Sequence, residues 1–334
     1  MDIPSRTAAE SARTRRAVDL FAGVGGLDLP AREMGVHVTG IEWSPDACAT
    51  RRASGLDTIE ADVRDHDPAD FPDADLLLGG PPCQPFSAAG NGAGRRALAD
   101  IIALAHRIAE RRPVSRHTHN PRTDLIHLVL EPLRWAVAHL DTGHPFEAIV
   151  LEQVPAVLPV WQAYAGILRA EGYSVAVGTV KAEQYGVPQT RRRAALIARL
   201  TGPAALPAPT HRHHAKSTPR TAGDPGLLPW VAMGDVIPGR GPFTVVSNYG
   251  TGGDPKARGR RSSGEPSATV TGKISRVRVL ADNGTEDRFT WSEAGALQSF
   301  PVDHPWSGRD IGQQIGNAVP PHLGAALLTA ALRA

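Results

Sequence analysis

The stretch Gly79-Gly80-Pro81-Pro82-Cys83-Gln84-Pro85-Phe86-Ser87 sets one of only two cysteines between prolines, directly after a short apolar run. Proline fixes φ and removes an amide donor, so the loop geometry around the thiol is specified. A thiol with an ordinary pKa of about 8.5 becomes a ready nucleophile only in an electropositive or helix-terminal setting. Cys83 therefore reads as a candidate for covalent catalysis. Cys48 is the contrast, falling midway along a helical pattern and reading as core. A second cluster, Phe21-Ala22-Gly23-Val24-Gly25-Gly26, lies between a strand pattern and a helix pattern. Such a turn brings backbone amides close to a ligand at a helix N-terminus. Glu42 closes the next strand pattern, where it can accept hydrogen bonds from ribose hydroxyls. Asp62 comes after the third, where it can meet an adenine amino group. Acids so placed suit a nucleoside held across the carboxyl edge of a sheet. The glycine turn alone fits a nicotinamide enzyme as well, and the two acids alone could lie on the surface.

These residues need strands that end on a common edge. Arg16–Phe21, Val36–Trp43, Thr58–Val63, Asp75–Leu78 and Phe146–Leu151 read as strands. Tyr173–Val180 and Ala194–Leu200 read as paired terminal strands. Helical patterns run over Arg96–Arg111, Asp124–His139 and Val160–Ala170, and Ser44-Pro45 supplies an N-cap with proline at the first helical position. The alternation predicts an α/β architecture with a parallel, doubly wound sheet. After Leu200, Pro, Gly, Arg, His and Ser dominate to about Asp287, which places a domain boundary near 200. A last helix, His322 to Leu332, comes after Pro320-Pro321 and is expected to return to the first domain.

Between His211 and Leu280 eleven Lys/Arg face four acids, whereas the whole chain carries only +2. A basic module on a slightly acidic body suits a polyanionic partner, although a solvated loop region has the same signature. Two thiols make no disulfide framework, which points to a reducing cytoplasm. No run of 18 apolar residues suggests a membrane span. Met1 to Arg16 is polar and basic and reads as a disordered tail. His211, His213 and His214 lack a cysteine or second ligand pair, so no metal site is expected.

In order along nearly the whole chain, these motifs resemble the DNA (cytosine-5)-methyltransferase family of bacterial restriction-modification type. The glycine turn, Glu42-Trp43 and Asp62 match its S-adenosylmethionine pocket, and Pro82-Cys83-Gln84 its nucleophile loop. Leu151-Glu152-Gln153-Val154 resembles its Glu-Asn-Val motif, and Gln189-Thr190-Arg191-Arg192-Arg193 its Gln-x-Arg-x-Arg segment. Leu297-Gln298-Ser299-Phe300-Pro301 and Gln314-Ile315-Gly316-Asn317-Ala318-Val319-Pro320 match its later motifs. Pro266–Thr271 resembles a segment that precedes the family's closing helix.

The resemblance implies a Rossmann-like S-adenosylmethionine-dependent methyltransferase sheet with a smaller, loop-rich target-recognition domain. The expected division is 1–200 catalytic, 201–304 target recognition and 305–334 returning to the catalytic domain. Implied catalytic residues are Cys83, Glu152, Arg191 near the thiol, and Arg193 toward O2 of the base and Glu152. Phe21, Gly23, Gly25, Gly26, Glu42, Trp43, Asp62, Val63, Pro82, Leu125, Asn317 and Val319 would hold the cofactor. Gln84, Ser87, Lys273, Arg276 and Arg278 would meet DNA, with Ser87–Gly94 as a closing loop. The implied reaction attacks carbon 6 of a flipped cytosine with Cys83 and methylates carbon 5. The partners implied are double-stranded DNA and a cognate restriction endonuclease acting independently, with the chain itself a cytoplasmic monomer.

Two departures stand out. Gln153 replaces the family's usual asparagine, and roughly twenty-five residues including Arg95–Arg112 look inserted. An RNA enzyme that takes its nucleophile from a later loop is excluded, because no cysteine follows Cys83. A tRNA-acting relative and a silent DNA-binding module remain as alternatives.

Overall fold

The computed structural model describes residues 14–82, 86, 97–118, 120–247 and 259–333. Cys83, Gln84, Ser87 and the expected closing loop lie outside the described residues.

The larger sheet is built from β1 (Arg16–Leu20), β2 (His37–Glu42), β3 (Asp57–Glu60), β4 (Leu76–Gly79), β5 (Ala148–Gln153), β6 (Ser174–Lys181) and β7 (Arg192–Arg199). Its order is β3-β2-β1-β4-β5-β7-β6. The strands alternate between two cores, as a sheet covered on both faces requires. Leu77, Ile149 and Leu151 face one core; Leu76, Leu78, Ala148 and Val150 face the other. Helices α1 (Asp28–Glu33) and α2 (Pro45–Ala53) come after β1 and β2. Ser44 accepts from the Ala47 amide at 3.4 Å with Pro45 behind it, so the N-cap forms as the sequence signals.

The sheet is mixed rather than parallel throughout. β7 pairs antiparallel with both β5 and β6. Between β6 and β7 stands only a short turn, Ala182–Tyr185, and the few residues after it. That is too little chain for a parallel crossover, so β7 returns beside β6 and slots in next to β5. The expected helix over Asp124–His139 is also interrupted. It becomes α4 (Pro121–His127), a tight turn at Leu128–Leu130 and α5 (Glu131–Asp141), with Pro132 in the first turn of α5.

The inserted segment contributes α3 (Leu98–Ala109), which lies against α5 and α6 (Leu158–Ala170). Ile101, Ala105 and Ile108 are buried in the same core as Trp135 and Trp161, so α3 is an integral layer against the larger sheet.

The second sheet holds β8 (Phe243–Val246), β9 (Arg260–Ser262), β10 (Arg278–Ala281) and β11 (Glu286–Asp287) in the order β11-β10-β8-β9. It has its own core with Met233 from α7 (Met233–Val236), Ala294 from α8 (Trp291–Ala296) and Ile315 from α9 (Ile311–Asn317). Then α10 (Pro321–Leu332) crosses back, burying Leu323, Leu327 and Leu328 against the larger sheet. Among the described residues no helix is long and apolar enough to cross a membrane.

Ile101→Ala in α3 is expected to lower the unfolding free energy by about 2–5 kcal/mol, as for any buried aliphatic truncation. Urea unfolding of the two proteins measures it; a change within about 0.5 kcal/mol would show that α3 is an appended element.

Candidate active site

The carboxyl ends of β1 to β5 open into one cavity of about 270 Å³. Phe21, Gly23, Gly26, Glu42, Trp43, Asp62, Val63, Pro82, Leu125, Asn317 and Val319 all line it. Gly25 does not, but its φ of +92° lets the turn close, and an added Cβ would lie 2.3 Å from Leu56. Phe21 holds φ at +63°, an unusual backbone state for a bulky residue and one found where a site demands it. At Gly26 a Cβ would lie 2.0 Å from the Val319 carbonyl oxygen, so the C-terminal segment seats directly on the turn.

Glu42 is buried, and burial pushes its carboxyl above the ordinary value while amide hydrogen bonds pull it back. Its oxygens accept from the Gly23 amide at 2.9 Å and the Ser44 amide at 2.8 Å. A carboxylate has acceptor capacity beyond these amides and can still meet a ligand hydroxyl. Trp43 is 61% exposed beside the cavity, an aromatic face open for stacking. Asp62 is gripped by Arg64, whose Nη2 donates to Oδ2 at 2.6 Å. Burial raises this carboxyl, yet the Arg64 hydrogen bonds prevail and hold it below the ordinary range.

On the far side stand Glu152 at the end of β5 and Arg193 near the start of β7, both lining the same cavity. Because β7 runs antiparallel, its start lies at the edge where its neighbours end, and this brings the two side chains together. Arg193 Nε lies 2.9 Å from Glu152 Oε1. The N–H is not aimed at that oxygen, which has no directed hydrogen bond. Burial raises the Glu152 carboxyl above its usual value against the charges of Arg193 and Arg191. Gln153 turns back, its amide donating to the Pro81 carbonyl and accepting from the Val154 amide. The side chain that departs from the expected asparagine thus ties the end of β5 to the loop leading to Cys83. Arg191 lines the cavity too, but its guanidinium donates to the carbonyls of Val270 at 3.0 Å, Gly316 at 3.2 Å and Ala318 at 3.0 Å.

Residues 15–111 and 147–225 match the family described as C-5 cytosine-specific DNA methylase. The chain is 30% identical to the type II methyltransferase M1.HphI of Haemophilus parahaemolyticus over 95% of its own length and 86% of that protein. It is 29% identical to M.AplI of Arthrospira platensis over 93% and 83% respectively. The chain belongs to the C-5 cytosine-specific DNA methylase family. It is an enzyme that methylates carbon 5 of cytosine in DNA. In fold it is similar to a Spodoptera frugiperda DNMT2 variant, with a TM-score of 0.62 at 13% identity, covering 96% of this chain and 100% of that one. The Entamoeba histolytica methyltransferase EhMeth gives 0.56 at 14%, covering 95% and 98%.

The methylase has a second, larger cleft of about 890 Å³ between its two sheets. Lys181, Arg192, Arg193, Lys216 and Arg261 line it, with His213 and His214. Of these cations only Arg193 is given a role by the sequence alone, and His213 and His214 are weighed there only as metal ligands. The available signal was the charge excess after His211, which cannot say which cations share a wall. Lys273, Arg276 and Arg278, expected to meet DNA, do not line this cleft. Lys273 and Arg276 are exposed elsewhere, and Arg278 pairs with Glu286 on the neighbouring β11. Pro82 and Phe86, which flank Cys83, line the first cavity and the second respectively.

Arg191→Ala leaves three carbonyls without their charged donor and is expected to destabilise the methylase by roughly 3 kcal/mol or more. Thermal unfolding checks this, and an unchanged midpoint would mean that Arg191 has no such structural role.

Proposed function

We propose that the first cavity holds S-adenosylmethionine and that the second cleft seats the DNA strand whose cytosine is flipped toward Glu152. The observation that carries this reading is that Arg193, paired with Glu152, lines both cavities. A methyl donor in one and a base entering from the other would meet at that pair.

The residues fit the cofactor. Glu42 offers carboxylate lone pairs to ribose hydroxyls, Trp43 an aromatic face, and Gly26 the close backbone approach that a side chain would block. When bound, S-adenosylmethionine supplies a methyl group activated by its sulfonium. The protein must make carbon 5 of cytosine nucleophilic. Cys83 thiolate adds to carbon 6, forming a carbon–sulfur bond and pushing electrons toward carbon 5 and N3. Glu152, whose burial favours the protonated carboxyl, donates to N3, and Arg193 holds the acid in place and faces O2. After methylation, solvent removes the carbon 5 proton and the Cys83 thiolate leaves. Arg191, committed to backbone carbonyls, fixes the frame around this centre.

Residues 1–200 and 305–334 then form the catalytic unit and 201–304 the recognition unit. Lys181, Arg192, Lys216 and Arg261 supply salt-sensitive phosphate contacts. The type II relatives support a cytoplasmic restriction-modification role beside an endonuclease that acts independently.

Bisulfite sequencing of DNA from cells expressing the protein is expected to show protected cytosines in one short motif, lost with Cys83→Ala. Protection that survives Cys83→Ala would eliminate the covalent route. Glu152→Gln is expected to lower kcat by about 10²–10⁴-fold while S-adenosylhomocysteine affinity stays within about threefold of wild type. A collapse of that affinity would reassign Glu152 to the cofactor.

A further inference from the structure

The cleft between the two sheets is walled by cations, yet an acid sits among them. Glu183, in the turn that joins β6 to β7, lines the cleft and is 5% exposed. Among the described residues it is the only acid in that lining. The turn, Ala182–Tyr185, is fastened at both ends. The Ala182 amide donates to the Arg191 carbonyl at 2.8 Å, and the Tyr185 hydroxyl to the Pro207 carbonyl at 2.9 Å. Gly186 closes it at φ +79°, a left-handed state natural to glycine. Glu183 thus projects from backbone with little freedom to move.

Burial raises the Glu183 carboxyl, while its own amide, the Arg191 amide and the charges of Lys181 and Arg192 pull it back. None of these groups donates to Oε2. That oxygen is shut off from solvent and has no hydrogen-bond partner among the described residues. An unpaired buried acceptor carries its full desolvation penalty until a donor arrives. Because Glu183 lines the cleft, the donor comes from whatever fills the cleft. A phosphate brings none. The donors of DNA are the exocyclic amino groups of its bases, those of cytosine and adenine in the major groove and that of guanine in the minor groove. A carboxylate accepts from such groups and offers nothing to a phosphate. The base concerned is not the flipped one. Glu152 lines the first cavity and not the cleft, Glu183 the cleft and not the first cavity, and Arg193 both. Glu183 therefore stands on the cleft side of Arg193, toward the neighbouring nucleotides.

Resting on the reading of the cleft as the DNA seat, we propose that Glu183 accepts a hydrogen bond from the exocyclic amino group of a base neighbouring the flipped cytosine, and so fixes one position of the recognised sequence. Lys181 and Arg192 meet phosphates without regard to sequence, and the acid between them supplies the choice. A base that presents a keto oxygen at the same place faces a carboxylate and is rejected. A mismatch of this kind lowers binding by about 5–150-fold.

Once bisulfite sequencing has given the motif, duplexes are made that replace one amino-bearing base at a time, the target cytosine excepted. Inosine stands in for guanine, purine for adenine and 2-pyrimidinone for cytosine, each lacking only the amino group. With the full-length wild type, kcat/KM is expected to fall by about 5–150-fold at the position Glu183 reads. Glu183→Ala is expected to treat the natural base and its analogue alike at that position, while wild type and variant respond equally at every other. Glu183→Gln, which keeps the shape and an acceptor but gains donors, is expected to admit a keto base there. Identical responses of wild type and both variants at all positions would overturn the proposal. So would uniformly tighter binding of cognate and non-cognate DNA by the variants with a steeper salt dependence, which would make Glu183 a counter-charge only. Arg192→Ala tests the cleft itself and is expected to weaken binding of all DNA sequences and flatten the salt dependence. Undiminished affinity in that variant would bring down the cleft reading, and this proposal with it.

Discussion

One guanidinium holds three stretches of the chain together. Arg191 lies just before β7, yet its N–H groups reach Val270 before β10 and Gly316 and Ala318 at the end of α9. A buried cation is costly unless polar groups take up its donors, and three backbone carbonyls accept from the two terminal nitrogens of this one. The fit around it is tight. A Cβ at Gly316 would lie 2.1 Å from the Gly272 amide nitrogen, and one at Gly26 2.0 Å from the Val319 oxygen. The larger sheet, the smaller sheet and the C-terminal return therefore have one mutual arrangement, and both cavities are defined by it.

The active edge depends on strand direction as much as on residue type. Parallel strands deliver the residues at and just past their carboxyl ends, namely Glu42, Asp62, Pro82 and Glu152. An antiparallel strand delivers the residues at its start. Had β7 run parallel, Arg193 would open the strand at the opposite edge of the sheet, and Glu152 would be a buried acid without a cation beside it. Glu152 instead sits beside the Arg193 guanidinium, with the charge of Arg191 also acting on it.

Much of this could be read from residue order. The glycine turn, the acids after β2 and β3, the capped start of α2 and the apolar runs of the strands are local signals, and each had a local reading. Strand order and the direction of β7 were not local. Tyr173–Val180 and Ala194–Leu200 showed as paired strands, but their place beside β5 depends on tertiary contacts. The basic residues of the second cleft come from β6, β7, β9 and the long connection after β7, so no sequence window contains them. Lys273, Arg276 and Arg278 lie close in sequence but do not line the second cleft, so the local run of cations gave no sign of it. Gln153 was visible as a departure, but its tie to Pro81 is a tertiary contact with no signal in the residue order.

The first cavity is bounded by Asp19 to Leu27 on one side and by Asp310 to Val319 on the other. Most of the two sheets and their helices lies in sequence between these walls. During synthesis the glycine turn and its acids leave the ribosome long before their opposite wall exists, so a growing chain has no pocket until Asp310 to Val319 emerge. A ligand that fills the finished pocket touches both distant segments at once. Its binding energy is then added to global unfolding rather than to a local fraying, and it acts as a clasp on the whole molecule.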